Sequence, residues 1–230
     1  DGDFVKEGNF MLRYYITQLQ VILYVAPVML LAIICHECAH GYVSDRLGDP
    51  TPRMSGRLTL NPFKHLDPLG TLCLLIFHMG WANPVPINPY YYKDRKKGII
   101  LVSLAGPCMN YLVGFLGMLI FGIFYKNGSI PGIWFYYLAV INIGLGTFNL
   151  IPVPPLDGSN VLQELLPGVG RFYARIRRYA PLILVICLAT GILWTPLSYA
   201  NAGILNGMWK LVRRILRIGF LPSGAAGSYL

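Results

Sequence analysis

Residues 14–40 read YYITQLQVILYVAPVMLLAIICHECAH. From Tyr14 to Cys35 the run carries no charge, and it matches the about 20 apolar residues that a helix needs to cross a bilayer. It closes on His36-Glu37-Cys38-Ala39-His40. A charged side chain at membrane depth costs on the order of 2.5–3.5 kcal/mol, so ionisable residues there are expected to serve function. Residues four apart share a helical face, which lets His36 and His40 bind one zinc ion together. Glu37, beside them, is placed to act as general base toward an attacking water. Cys35 and Cys38 point away from the two-histidine face and are not expected to be ligands.

The rest of the chain agrees with a membrane reading. Of 230 residues, 55% are hydrophobic and 13% charged, against about 25% charged in an ordinary soluble domain. Mean hydropathy is +0.53. These values exclude a soluble enzyme, a disordered chain and a nucleic-acid module. The five cysteines form no dense framework, so free thiols are expected. Residues 1–10 read as a flexible or non-native tail ahead of Met11, and residues 11–230 as a single domain.

Three further charge-free stretches are long enough to span: Gly98 to Tyr125, Asn127 to Leu156 and Tyr179 to Trp209. Thr195-Pro196 is expected to break the last of these. Leu69 to Trp81 is too short to cross, and alternating prolines in Asn83-Pro84-Val85-Pro86-Ile87-Asn88-Pro89 favour extended backbone. Met54 to Pro89 is therefore expected to be a re-entrant or interfacial segment with short strands. The predicted fold is an all-α polytopic membrane protein, with about four to six transmembrane or re-entrant helices and a short re-entrant β segment.

Orientation follows from the basic residues, which number 19 against 10 acidic. Lys93, Arg95, Lys96 and Lys97 precede the second span, and Arg171, Arg175, Arg177 and Arg178 precede the fourth. The end of the first span, the start of the second and the end of the third are then expected on the inner face. The tail cluster Lys210, Arg213, Arg214 and Arg217 lies outside after a single fourth span, or inside if a half-helix returns after Pro196.

A catalytic zinc keeps about three protein ligands and an open position. Asp157, in Asn149-Leu150-Ile151-Pro152-Val153-Pro154-Pro155-Leu156-Asp157-Gly158, ends the third span at the predicted depth of His36 and His40. Asp-Gly after prolines is also good turn chemistry, but the incomplete metal set at the same depth favours Asp157 as third ligand. Glu164 is the alternative acidic ligand and is expected to face water. Of the other histidines, His65 reads as structural and His78 as a substrate contact or a buried hydrogen-bonding group. Gly106, Pro107 and Asn110 mark a close helix approach or kink, with Asn110 bonding inside the bundle. Asn149 reads equally as helix glue and as a donor to a developing oxyanion.

These motifs, in this order, resemble the site-2 protease family of intramembrane zinc metalloproteases, in its compact prokaryotic branch without a PDZ domain. The likeness extends through Gly56 to Pro62, Asp67 to Gly70 and Asn83 to Pro89, and covers most of Met11 to about Arg178. It implies one zinc per chain held by His36, His40 and Asp157, Glu37 as base and Asn149 stabilising the oxyanion. It further implies that Gly106, Pro107 and Asn110 pack against the catalytic core and that the re-entrant loop borders the substrate cleft. A substrate helix hides its carbonyls in its own hydrogen bonds and must unwind. Asn83, Pro84, Val85 and Pro86 are the candidate strand edge for the unwound chain. The expected partners are a transmembrane protein substrate and the lipid bilayer, with no nucleic acid, and the expected location is the cell membrane, multi-pass. Oligomeric state is not legible. The rival reading is a metal-binding transporter or channel without proteolytic activity, though no internal repeat supports it.

Overall fold

A computed structural model describes residues 25–67, 83–126 and 132–218. Its helices are α1 (Val25–Arg46), α2 (Thr51–Met54), α3 (Arg95–Lys126), α4 (Gly132–Asn149), α5 (Asp157–Leu165), α6 (Pro167–Ile176), α7 (Ala180–Ala189) and α8 (Trp194–Leu216). Two of them, α1 and α3, are long and apolar enough to cross a membrane, and the bent pair α7 and α8 counts as a third if it is one span.

The centre of the molecule is the α3–α4 pair. Side chains that would hold the two backbones apart are missing along α3. A Cβ on Gly117 would lie 3.0 Å from the Phe135 carbonyl oxygen, and one on Gly114 would lie 3.1 Å from Ile143 Cγ1. Small residues at such contacts gain packing that lipid cannot supply. Toward the end of α3, Met118, Ala139 and Val212 form a buried cluster joined by Phe121 and Trp209. This brings α8 onto the pair.

Contacts fix the direction of α8. Its start lies by the end of α4, where Leu193, Pro196 and Leu197 face Leu150 and Ile151. Its end lies by the end of α3, where Lys126 Nζ donates to the Leu216 carbonyl over 3.3 Å. The tail cluster Lys210 to Arg217 therefore sits at the far end of the bundle from Arg95, and α8 does not return. The chain does bend, by 79° between α7 and α8, but not at Thr195-Pro196. The break is at residues 190–193, where Gly191 takes a φ of +75°. Pro196 lies in the first turn of α8, where a missing N–H costs no helical bond.

The re-entrant β segment is not found among the described residues. Met54 ends a helical turn, and Pro62–Lys64 and Pro89–Tyr91 are 3₁₀ turns. Leu66 makes an isolated bridge, and residues 83–88 are extended without a strand ladder. The reason is chemical: Pro84 and Pro86 have no N–H to give. Of the other donors, Asn83 N reaches the His65 carbonyl (2.7 Å) beside the Leu66 bridge, while Val85 N goes to Glu37 (3.0 Å) and Asn88 N to Asp49 (2.6 Å). Residues 14–24 of the first span, Leu69 to Trp81, His78 and Cys73 lie outside the described residues.

Candidate metal centre

Helical spacing in α1 stacks His36 and His40 on one face, and their Nε2 atoms stand 2.9 Å apart. Asp157 reaches them from α5, its Oδ2 lying 3.2 Å from His36 Nε2 and 3.3 Å from His40 Nε2. Asp157 opens α5, where the helix dipole favours a carboxylate. Gly158 lets that helix start tight against the end of α4: a Cβ there would lie 2.2 Å from the Leu150 carbonyl oxygen. So Asp157-Gly158 is a helix entrance pressed on backbone, not an exposed turn. Tyr173 on α6 ties down the intervening prolines through the Pro152 carbonyl, at 2.5 Å.

Both imidazoles are held from behind. His36 Nδ1 lies 2.6 Å from Asn110 Oδ1, and His40 Nδ1 lies 2.6 Å from the Val102 carbonyl oxygen. Each acceptor calls for an N–H at Nδ1 and leaves a lone pair at Nε2. Two lone pairs and a carboxylate oxygen then face one another. Asp157 Oδ2 is shielded from water and has no hydrogen-bond donor. Three acceptors in contact repel unless a cation lies among them. Tetrahedral zinc with bonds of about 2.0–2.1 Å separates its ligand atoms by about 3.3 Å, close to the spacings seen. The donor set and its geometry fit zinc, and these residues are the group among the described residues that could hold a metal ion.

The α3 motif acts at this point. A Cβ on Gly106 would stand 2.5 Å from His36 Cε1 and His40 Nε2, so only glycine lets α3 approach both rings. Pro107 is buried and stands inside α3 without ending it. Asn110 is fully buried and also donates to the Ala32 carbonyl (3.1 Å) and to Asn142 (3.0 Å). Asn142 had no place in the sequence reading. Its one signal was a polar residue in the middle of an apolar run.

The remaining sequence candidates fall around the cluster. Glu37 points its Oε2 at the Val85 N–H, 3.0 Å away. Pro84 gives its carbonyl to Arg57 (2.8 Å), and Asn83 Nδ2 donates to the Leu66 carbonyl (3.2 Å). Asn149, at the end of α4, donates Nδ2 to the Leu145 carbonyl in its own helix over 3.0 Å. Glu164 lies two turns along α5 and is not in the cluster. Cys38 turns its thiol to the Thr59 carbonyl (3.2 Å), away from the histidine face. His65 is fully buried with Nε2 on the same carbonyl (2.8 Å), a structural place. The four described cysteines are free, Cys35, Cys38 and Cys187 half-buried and Cys108 exposed. An open apolar cleft of about 300 Å³, lined by Leu150, Ile151, Leu193, Pro196 and Leu197, adjoins the chain leading to Asp157.

A second polar cluster, unforeseen in the sequence, pins the extended segment. Asp49 is fully buried and accepts from Ser44 Oγ (2.8 Å), Thr51 N (2.9 Å) and Asn88 N (2.6 Å). Ser44 in turn meets the Tyr92 hydroxyl at 2.7 Å.

Comparison with known proteins agrees with this geometry. Residues 125–191 match the model of peptidase family M50. The chain is 33% identical over 207 residues to "Putative zinc metalloprotease YwhC" of Bacillus subtilis, covering 84% of this chain and 94% of that one. This chain belongs to peptidase family M50. It is also 32% identical to "Putative zinc metalloprotease Rip2" of Mycolicibacterium smegmatis, over 70% of this chain and 64% of that one. A more distant relative, "Zinc metalloprotease MJ0392" of Methanocaldococcus jannaschii, is 25% identical over 60% of this chain and 33% of its own length. No solved structure matches. Membership in M50, the family its motifs resemble, supports a metalloprotease with zinc as cofactor.

Proposed function

We propose that this M50 member is an intramembrane endopeptidase that hydrolyses peptide bonds in or near the transmembrane helices of membrane protein substrates. The observation that carries the reading is the convergence of His36 Nε2, His40 Nε2 and Asp157 Oδ2, with no donor among them, where the apolar α1 meets the start of α5. These residues would hold one zinc ion. Bound there, zinc supplies Lewis acidity toward the scissile carbonyl and acidifies water.

The chain's own groups do the rest. Glu37 takes the proton of the attacking water and passes it to the leaving amine. Asn149, at the end of α4, has an amide that can turn a donor toward the developing oxyanion. Asn83, Pro84, Val85 and Pro86 border the path of the unwound substrate, one hydrogen bond from the base. With N–H groups committed or absent, that segment has carbonyls to offer, which suit substrate N–H groups. The apolar cleft beside Ile151 suits a hydrophobic side chain of that substrate.

The cell-membrane topology that goes with this function has α1 and α3 crossing, the shorter α4 returning beside α3, and the bent pair α7 and α8 as one broken last span. The charge-free part of α8, Trp194 to Trp209, is about 24 Å long, so it needs α7 to make up a hydrocarbon core of about 30 Å. The basic residues around Arg95 and Arg175 mark the metal end as cytoplasmic.

The test is purified protein in liposomes with single-span candidate substrates. Wild type should contain zinc and cleave. Glu37→Gln should contain zinc and not cleave. Cleavage retained by that variant overturns the assignment.

A further inference from the structure

Asn142 stands in the middle of α4, fully buried, where an amide must find partners inside the bundle. Its Nδ2 donates to the Leu138 carbonyl of its own helix over 2.9 Å. That bond decides which end of the amide faces α3: it is Oδ1, which accepts from Asn110 Nδ2 over 3.0 Å. Asn110 Nδ2 also donates to the Ala32 carbonyl over 3.1 Å. An amide nitrogen has two hydrogens and accepts none. Both are now committed, so Asn110 must turn Oδ1 toward His36, and it does so at 2.6 Å. An amide oxygen only accepts. His36 Nδ1 must therefore carry the hydrogen, and a neutral ring keeps its lone pair on Nε2.

We infer that Asn142 is a positioning residue that, through Asn110, selects the His36 tautomer with Nε2 free for the metal. The inference rests on His36 being a ligand, as proposed above. Without the Asn142 acceptor only the Ala32 carbonyl still holds the Nδ2 end of Asn110 in place, and the turned-over amide gains population. Its NH₂ then faces His36 Nδ1, and the ring hydrogen moves to Nε2, aimed at Asp157. A helix that supplies no ligand thus controls the donor state of one. Close backbone contact makes the relay possible: a Cβ on Gly146 would lie 3.2 Å from Asn110 Cβ.

The test uses the full chain in detergent, with zinc affinity read by chelator competition and the His36 tautomer by ¹⁵N shifts of labelled imidazoles in the metal-free protein. Asn142→Leu should weaken zinc about tenfold, the low end of the about 10- to 100-fold range for groups behind a metal ligand, and move the His36 hydrogen toward Nε2. Asn142→Asp should behave as wild type. A buried carboxyl stays neutral, gives its O–H to Leu138 and accepts from Asn110. Thr147→Val cuts a different bond between the same helices, Thr147 to Tyr111 at 3.2 Å, and should leave both readouts unchanged. Wild-type affinity and shifts in Asn142→Leu overturn the inference, as do equal losses in all three variants. His36→Ala separates the two levels. If it loses zinc while Asn142→Leu does not, only this inference falls. If it keeps zinc, the ligand assignment falls with it.

Discussion

Val85 donates its backbone N–H to Glu37 Oε2 over 3.0 Å. The extended segment thus holds the carboxylate next to the histidines, and Val85, itself buried, lies against α1 where a Cβ on Gly41 would come within 2.7 Å of it. Removing the donor as Val85→Pro should lower kcat/KM about 10- to 100-fold, the worth of a hydrogen bond to a charged group at about 1.5–3 kcal/mol, with zinc content unchanged. Val85→Ala keeps the N–H and should lose much less. Equal rates for the two variants would detach the segment from the base.

The two acidic ligand candidates separate cleanly. Asp157→Ala should lose zinc, because it takes one of three converging atoms away. Glu164→Ala, altered two turns along α5, should keep it. Metal analysis after dialysis reads the difference, and loss of zinc in the second variant would reverse the assignment.

Gly106→Ala should abolish zinc binding and cleavage together. In an open helix the exchange raises stability, by about 1 kcal/mol in helix propensity. Here the added carbon would stand 2.5 Å from both imidazoles, and α3 would have to move off the site. Gly203→Ala on α8, where nothing lies within 4 Å, is the matched control and should keep full activity.

Asp49 makes stability depend on acid. Burial alone would raise its carboxyl, but hydrogen bonds from Thr51, Asn88 and Ser44 prevail and hold it below its ordinary 3.8. A depressed carboxylate contributes stability that is complete above its unfolded value and is lost as pH falls through its folded one. Thermal melts in detergent should therefore show wild type losing stability below about pH 4. Asn at this position should be less stable at pH 7, by roughly 1–3 kcal/mol, and should lack that acid-dependent part. Parallel curves for the two proteins would remove Asp49 from the account.

Much of the site was legible because its signals are local. The i, i+4 histidines need only a helix to share a face, and a charge-free run ending in Glu37 names its own depth. Asp157 was legible for a related reason, since few acidic residues stand at the ends of apolar runs. The break between α7 and α8 was placed a few residues late, because a proline in a first helical turn reads the same in sequence as one that breaks a helix. The strands expected over Met54 to Pro89 do not appear among the described residues of that range, 54–67 and 83–89, beyond the single bridge at Leu66. Extended backbone becomes a strand only when its N–H groups meet a neighbouring strand, and the N–H groups of Val85 and Asn88 go to side-chain carboxylates.

The sequence by itself determined the class of the protein and pointed to the three side chains that converge as a candidate metal site. Periodicity and charge cost act within a few residues of chain, and both can be read in one dimension. Only the tertiary structure decided what stands behind the ligands: the Val102 carbonyl on His40, Asn110 on His36, and Asn142 on Asn110. Those partners lie far apart in sequence, and one is a backbone oxygen that every residue carries. Which amide end faces which acceptor is settled by packing between α3 and α4, and that packing exists only once the helices meet.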